Sequence, residues 1–422
     1  VFKKGGLTMK KVFLISALVL VIITSMVFGA GQQEAAKPKV TVFWALYDGL
    51  TEEYRADLQS AFMAEYPDII LDIVPIPWDN VYDKLTTSLA GGNAPELSVI
   101  GTRWALELLS MDAIEPVDKY VSQATLDNIF DGTKEALIDG KLWGLPVAAG
   151  ARILAINNDL TKKVPATMEE MRAEALNVVR RTGKYGIIMP GKKHTELTDF
   201  GYYLYAAGGD IFEVNPDGSF GKCAINSPAG VKALEFMVQL AKDKVVPGGY
   251  LSQTRMEAHP VFYAGDAAYV MIGAWVDSAL QQAGAKFDVT YAQIPGFAGY
   301  KSAPLVITDS IAIFKDAKNK KEAGIFLDFF YRDEWKAKFD ELIGFPPVTI
   351  SASKLPQFQS PLYQALNEAA GNAKPWPLIE GFAEMTDIIW DAISMAYLGQ
   401  KTPKKALDDA ARSIDELKAT YE

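Results

Sequence analysis

The sequence predicts an α/β protein built on parallel strands with helices on both faces, and three observations carry that prediction. Short β-branched runs alternate with amphipathic spans over the first hundred or so residues, turn residues close each run, and Thr or Ser stands where helices should begin. Residues 40–44 form the first such run, followed by the turn residues Tyr47, Asp48 and Gly49. Thr51 then caps a helix whose first turn holds Glu52 and Glu53 and whose apolar face is Tyr54, Leu58, Ala61 and Phe62. Pro67 and Asp68 stop it. Residues 69–76 read as the second strand, Val81, Leu85 and Leu89 as one face of a second helix, and residues 97–100 as the third strand after Gly91, Gly92 and Asn93.

Further on, Ser227-Pro228 and Thr402-Pro403 each pair an N-cap with proline at the first helical position. The helices they launch carry Val231, Leu234, Val238 and Ala241, and Leu407, Ala411, Ile414 and Leu417, on one side. Asn215, Pro216, Asp217 and Gly218 predict a hairpin turn. Their acids lack the spacing and the closing Glu of a calcium loop. In open sheets of this kind ligands bind beyond the carboxyl ends of the strands, which singles out the loops at 47–49 and 101–104.

The amino terminus has its own chemistry. An apolar run at 12–28 comes after Met9, Lys10 and Lys11 and ends in Gly29, Ala30 and Gly31, the three parts of a secretory signal. Residues 1–30 are therefore expected to be a cleaved leader, with 1–8 upstream of the true start and a polar linker at 31–37. The expected location is periplasmic or extracellular. No cysteine stands at the cleavage point to carry lipid, and the single Cys223 offers no disulfide. The chain is acidic, with a formal net charge of -10, and it has no basic stripe interleaved with aromatics, which argues against a nucleic-acid partner. The chain beyond residue 30 is long enough for two domains.

Several stretches, taken in order, resemble the extracellular solute-binding proteins that serve sugar ABC importers, the maltose-binding type. They are Phe62-Met63-Ala64-Glu65-Tyr66-Pro67, Ala90-Gly91-Gly92-Asn93-Ala94-Pro95-Glu96, Leu142-Trp143-Gly144-Leu145-Pro146 leading to Ile156-Asn157-Asn158-Asp159-Leu160, and Pro165-Ala166-Thr167-Met168-Glu169-Glu170. Later come Gly265-Asp266-Ala267-Ala268-Tyr269 before Gly273-Ala274-Trp275, then Glu322-Ala323-Gly324-Ile325-Phe326-Leu327, and finally Gly399-Gln400-Lys401-Thr402-Pro403-Lys404-Lys405-Ala406-Leu407. The resemblance implies a two-lobe, periplasmic-binding-protein-like fold of type II, with a ligand cleft between lobes joined by crossover strands. By position the lobes are 38–149 plus 305–345 and 150–304 plus 346–422. It further implies a monomer that hands a carbohydrate to an ABC permease, needs no cofactor, and is not an enzyme.

Sugars offer C–H faces to aromatic rings and hydroxyls to fixed polar groups, so a sugar cleft needs both. The resemblance places Trp275, Trp104 with Arg103, and Asp48 at such positions. Trp44, at the end of the first strand, and Trp376, between Pro375 and Pro377, are further candidate platforms; Asp277 and Asp309 are further candidate acceptors. At the first crossover some relatives carry an acid where this chain has Gly150, with Arg152 two residues on. An extended segment points both to one side. Arg152 and Arg103 together favour an anionic or phosphorylated sugar as the alternative ligand, because guanidinium fits oxyanions. Catalysis has little to work with, since His194 and His259 are the only histidines and form no metal or triad pattern. A secreted carbohydrate-active enzyme, which would need two opposed carboxylates, is the alternative from another class.

Overall fold

The computed structural model describes Val1 and residues 37–192, 199–216 and 219–421; the expected leader and most of the linker, His194, and Asp217 and Gly218 of the hairpin turn lie outside them. Two sheets organise residues 39–421. The first is seven-stranded, with Lys39–Leu46 at its heart, parallel to Ile70–Pro77 on one side and Leu97–Gly101 on the other. The helices between these strands are Glu52–Glu65 and Trp78–Ala90, and the Thr51 side chain accepts from the Tyr54 amide as its sequence position predicts.

One correction to the expected sheet comes from far along the chain. Leu305–Phe314 enters next to Leu97–Gly101 and runs antiparallel to it, and on the same strand it pairs antiparallel with Leu145–Ala151. The sheet is therefore mixed, not all parallel. These ten residues are rich in Ile, Val and Thr, but these two antiparallel partners lie more than 150 residues away, so only the folded chain reveals the pairing.

The second sheet has four strands in the order Val289–Ala292, Ile153–Asn157, Ala267–Ile272 and Tyr185–Ile188. Ile153–Asn157 runs antiparallel to both neighbours, while the last pair is parallel. The chain leaves the first sheet at Ala151 and enters the second at Ile153, so Arg152 alone bridges them. Its amide donates to the Leu305 carbonyl at 2.8 Å, which ties the outgoing strand to the returning one. The helices launched by Ser227 and Thr402 span Pro228–Lys242 and Pro403–Lys418, each with the expected side-chain cap.

The two bodies meet closely at two glycines. Gly344 (φ +74°) ends the helix Asp333–Ile343, and a Cβ there would stand 2.3 Å from the Ala274 carbonyl of the opposite body. A Cβ at Gly49 (φ +92°) would meet the Leu342 carbonyl at 2.1 Å and Ser278 Cβ at 2.8 Å. At Gly344 backbone packs on backbone across the seam, whereas at Gly49 the Leu342 carbonyl belongs to the same body and the neighbour from the opposite one is the Ser278 side chain. Among the described residues, no helix is long and apolar enough to cross a membrane.

Candidate functional site

The strand ends deliver side chains to one cavity of about 50 Å³. Tyr47 and Asp48 follow Lys39–Leu46, Trp78 follows Ile70–Pro77, and Arg103 follows Leu97–Gly101. That is the carboxyl edge at which open sheets bind. Ile307 and Asp309 join from Leu305–Phe314, because alternate residues of a strand share a face. From the other body come Trp275, just past Ala267–Ile272, the bridging Arg152, and Arg255 with Met256 on the short helix Arg255–Ala258. Phe345, one residue after the seam glycine, completes the wall.

Charge dominates this wall. Arg103, Arg152 and Arg255 are only 4%, 3% and 7% exposed. Arg103 Nη1 lies 3.6 Å from Asp309 Oδ1, while the Tyr47 hydroxyl donates to Asp309 Oδ2 at 3.1 Å. Burial, with Asp309 beside it, pushes the Tyr47 hydroxyl well above its ordinary range, so it stays protonated as a donor. Arg152 Nε and Arg255 Nη2 both donate to the Tyr202 hydroxyl at 3.2 Å. Both guanidiniums also overlie the Trp275 ring, with Arg152 4.7 Å and Arg255 5.8 Å from its centroid. The indole further stacks with Phe345 at 5.9 Å and 25°. Burial raises the Asp48 carboxyl above the usual range, partly offset by Arg255.

Of the residues singled out from sequence, Asp48, Arg103, Arg152, Trp275 and Asp309 converge here. Gly150 pairs with Ile307, and a Cβ there would meet the Phe345 ring at 3.1 Å, so the glycine makes room for that phenyl group. Four candidates are corrected by their surroundings. Trp44 is fully buried edge-on to Phe330 and Phe339, at 5.1 and 5.7 Å, and is core. Trp104 packs beneath Trp78 and Tyr82, under Arg103, and supports the wall without lining it. Asp277 is exposed and accepts from the Tyr291 hydroxyl. Trp376 is 4% exposed between Tyr205 and Phe382, with its ring over Gly201.

Trp78, Arg255 and Phe345 line the cavity without having been singled out, and Tyr47 joins them from the loop at 47–49 to which the strand-end rule pointed. For Arg255 a cue was present: Thr254 and Glu257 form a capping box, which announces a helix with this arginine as its first residue. For Phe345 nothing local distinguishes the ring. Cys223 lies elsewhere and is buried, its thiol pushed up to about 12 and thus unreactive. Among the described residues no group of three His, Cys, Asp or Glu is arranged to hold a metal.

A mixed α/β chain with one cavity walled by two sheet-centred bodies defines a solute-binding protein, and the comparisons with known proteins agree. Residues 47–337 match the family described as bacterial extracellular solute-binding protein, and the chain belongs to that family. A putative binding protein of Brucella abortus (strain 2308) is 29% identical over 92% of this chain and 95% of its own length. The galactooligosaccharide-binding protein of Bacillus subtilis (strain 168) is 25% identical over 86% of this chain and 87% of its own. Among solved structures, maltose-bound MalE3 of T. maritima superimposes with a TM-score of 0.80 at 24% identity, covering 90% of this chain and 99% of that one. The family consists of binding proteins.

Proposed function

We propose that this chain is an exported receptor that captures a carbohydrate between two lobes and presents it to an ABC permease. One observation carries the reading: a single cavity takes Asp48, Arg103 and Asp309 from the first body and Arg152, Arg255 and Trp275 from the second. A ligand there touches both only when they are together, so it stabilises the closed form that a transporter recognises. The lobes are 38–149 with 305–345 and 150–304 with 346–422. The receptor works as a monomer, in the periplasm or outside the cell, after residues 1–30 are removed. Trp275 offers an aromatic surface, and Asp48, Arg103, Arg152 and Asp309 offer fixed polar groups. The sugar named for the Bacillus subtilis relative supports a carbohydrate as cargo.

Calorimetry and thermal unfolding with a panel of mono- and oligosaccharides test this. A ligand at 100 times its dissociation constant should add about 2.7 kcal/mol to stability, and small-angle scattering should show a more compact molecule with it bound. Cleavage of the saccharide in the same samples, abolished by replacing one carboxylate, would refute it in favour of a hydrolase.

A further inference from the structure

The arginine cavity, walled by Arg103, Arg152 and Arg255, is only one end of the cleft. At about 50 Å³ it holds a few waters, each needing roughly 10–15 Å³, and is too small for a pyranose ring. A second cavity of about 440 Å³ adjoins it, since Asp48 and Met256 line both. The second body builds most of its wall, from Tyr263 on the helix Pro260–Tyr263 to Gln282 on the helix Val276–Gln282. That space falls within the roughly 300–1,000 Å³ typical of small-molecule sites and has room for a sugar ring.

One side chain in the wider cavity has hydrogen-bonding capacity to spare. Tyr263 is 8% exposed, and its hydroxyl closes no hydrogen bond among the described residues. Leaving a buried hydroxyl unsatisfied is costly, and buried polar groups in folded proteins nearly all find partners. The hydroxyl end of Tyr263 faces the cleft, where Asp48, the Trp275 indole and Arg255 act on it. Burial, with Asp48 beside it, raises that hydroxyl above its ordinary range, so it keeps its proton and is a donor. The Trp275 N–H bears on its oxygen without closing a hydrogen bond. From the other side of the seam comes Asp48, half-buried, whose carboxylate is an acceptor. A donor on one body and an acceptor on the other are what a single sugar hydroxyl satisfies together, because it donates once and accepts twice.

Resting on the receptor reading, we propose that the cargo seats a pyranose ring in the wider cavity. One ring hydroxyl accepts from Tyr263 and donates to Asp48, which links the two bodies, while only a ring substituent enters the arginine cavity. Calorimetry of the wild-type protein with D-glucose, D-galactose, maltose and lactose supplies the probe. For the sugar that binds, Tyr263→Phe should weaken affinity about tenfold. The same substitution should leave the unfolding temperature of the cargo-free protein unchanged or higher, because the empty protein loses no hydrogen bond. A second measurement begins without any substitution. Among the monodeoxy forms of that sugar, the one lacking the bridging hydroxyl should bind the wild-type protein about tenfold more weakly and lose nothing further in Tyr263→Phe. Unchanged affinity in Tyr263→Phe overturns the proposal and leaves the receptor reading standing. Weaker binding together with a lower unfolding temperature of the cargo-free protein does the same, since the hydroxyl would then be structural. So does a monodeoxy series in which Tyr263→Phe costs every member equally. If no sugar in the panel binds the wild-type protein, both readings fall.

Discussion

Lys336 and Asp340 form an ion pair with no exposure on either side chain, one turn apart on the helix Asp333–Ile343. The ammonium donates to the carboxylate and lies 5.2 Å from the Phe339 centroid. Burial lowers the lysine and raises Asp340 to about 7, each opposed by the partner's charge. A carboxyl raised in this way holds its proton more tightly folded than unfolded. Its contribution to stability is present below its unfolded value, about 4, and is lost as pH rises through about 7. Lys336→Met should therefore cost about 3–5 kcal/mol by chemical denaturation, more at pH 8 than at pH 5, because the carboxylate loses the counter-charge beside it. The double variant Lys336→Met/Asp340→Leu should regain most of the loss. A single variant as stable as the parent at pH 8 would contradict this account. In sequence the same spacing reads as an ordinary solvated helix pair. Trp44 was opaque for a related reason, since Phe326, Phe330 and Phe339 that enclose it come from nearly 300 residues later. Asp48 and Arg103 were legible because strand ends are local features.

Helix starts are the elements the sequence announces best. At Thr402 the hydroxyl accepts from the Lys405 amide at 3.3 Å, and Pro403 occupies a position whose amide hydrogen would have had no partner in the helix. Thr402→Ala should lower stability by about 1 kcal/mol, shifting the urea midpoint without changing the slope. An unchanged midpoint would mean that the helix Pro403–Lys418 is held by packing of Leu407, Ala411 and Ile414 alone. Strand pairing was less readable. Residues 305–314 have the composition of a strand, but composition does not state which neighbours a strand takes or in which direction. Its alternation nevertheless proves decisive for the site. Ile307 and Asp309 face the arginine cavity, whereas Val306 and Thr308 line a separate cavity of about 550 Å³ together with Ala149, Pro346 and Pro347.

At the scale of the whole chain, the order of short motifs conveyed a two-body receptor, while the contact between the bodies emerged only in three dimensions. The seam at Gly344 is backbone against the Ala274 carbonyl, and at Gly49 it is backbone against the small Ser278 side chain, so it leaves no hydrophobic pattern for the eye to find. Trp275 sits beside that seam, roofed by two guanidiniums and stacked on Phe345. Indole emission is sensitive to nearby charge and to collisions with its neighbours, so this residue should behave as a built-in optical gauge of occupancy. Titration with cargo should change the intrinsic fluorescence, and Trp275→Phe should abolish most of that change while the other seven tryptophans of the 8 in the chain continue to shine. If the change survives the substitution intact, Trp78, on the facing wall, becomes the chromophore to replace next. The chain thus carries its own readout, and cargo uptake could be followed in real time without attaching a dye.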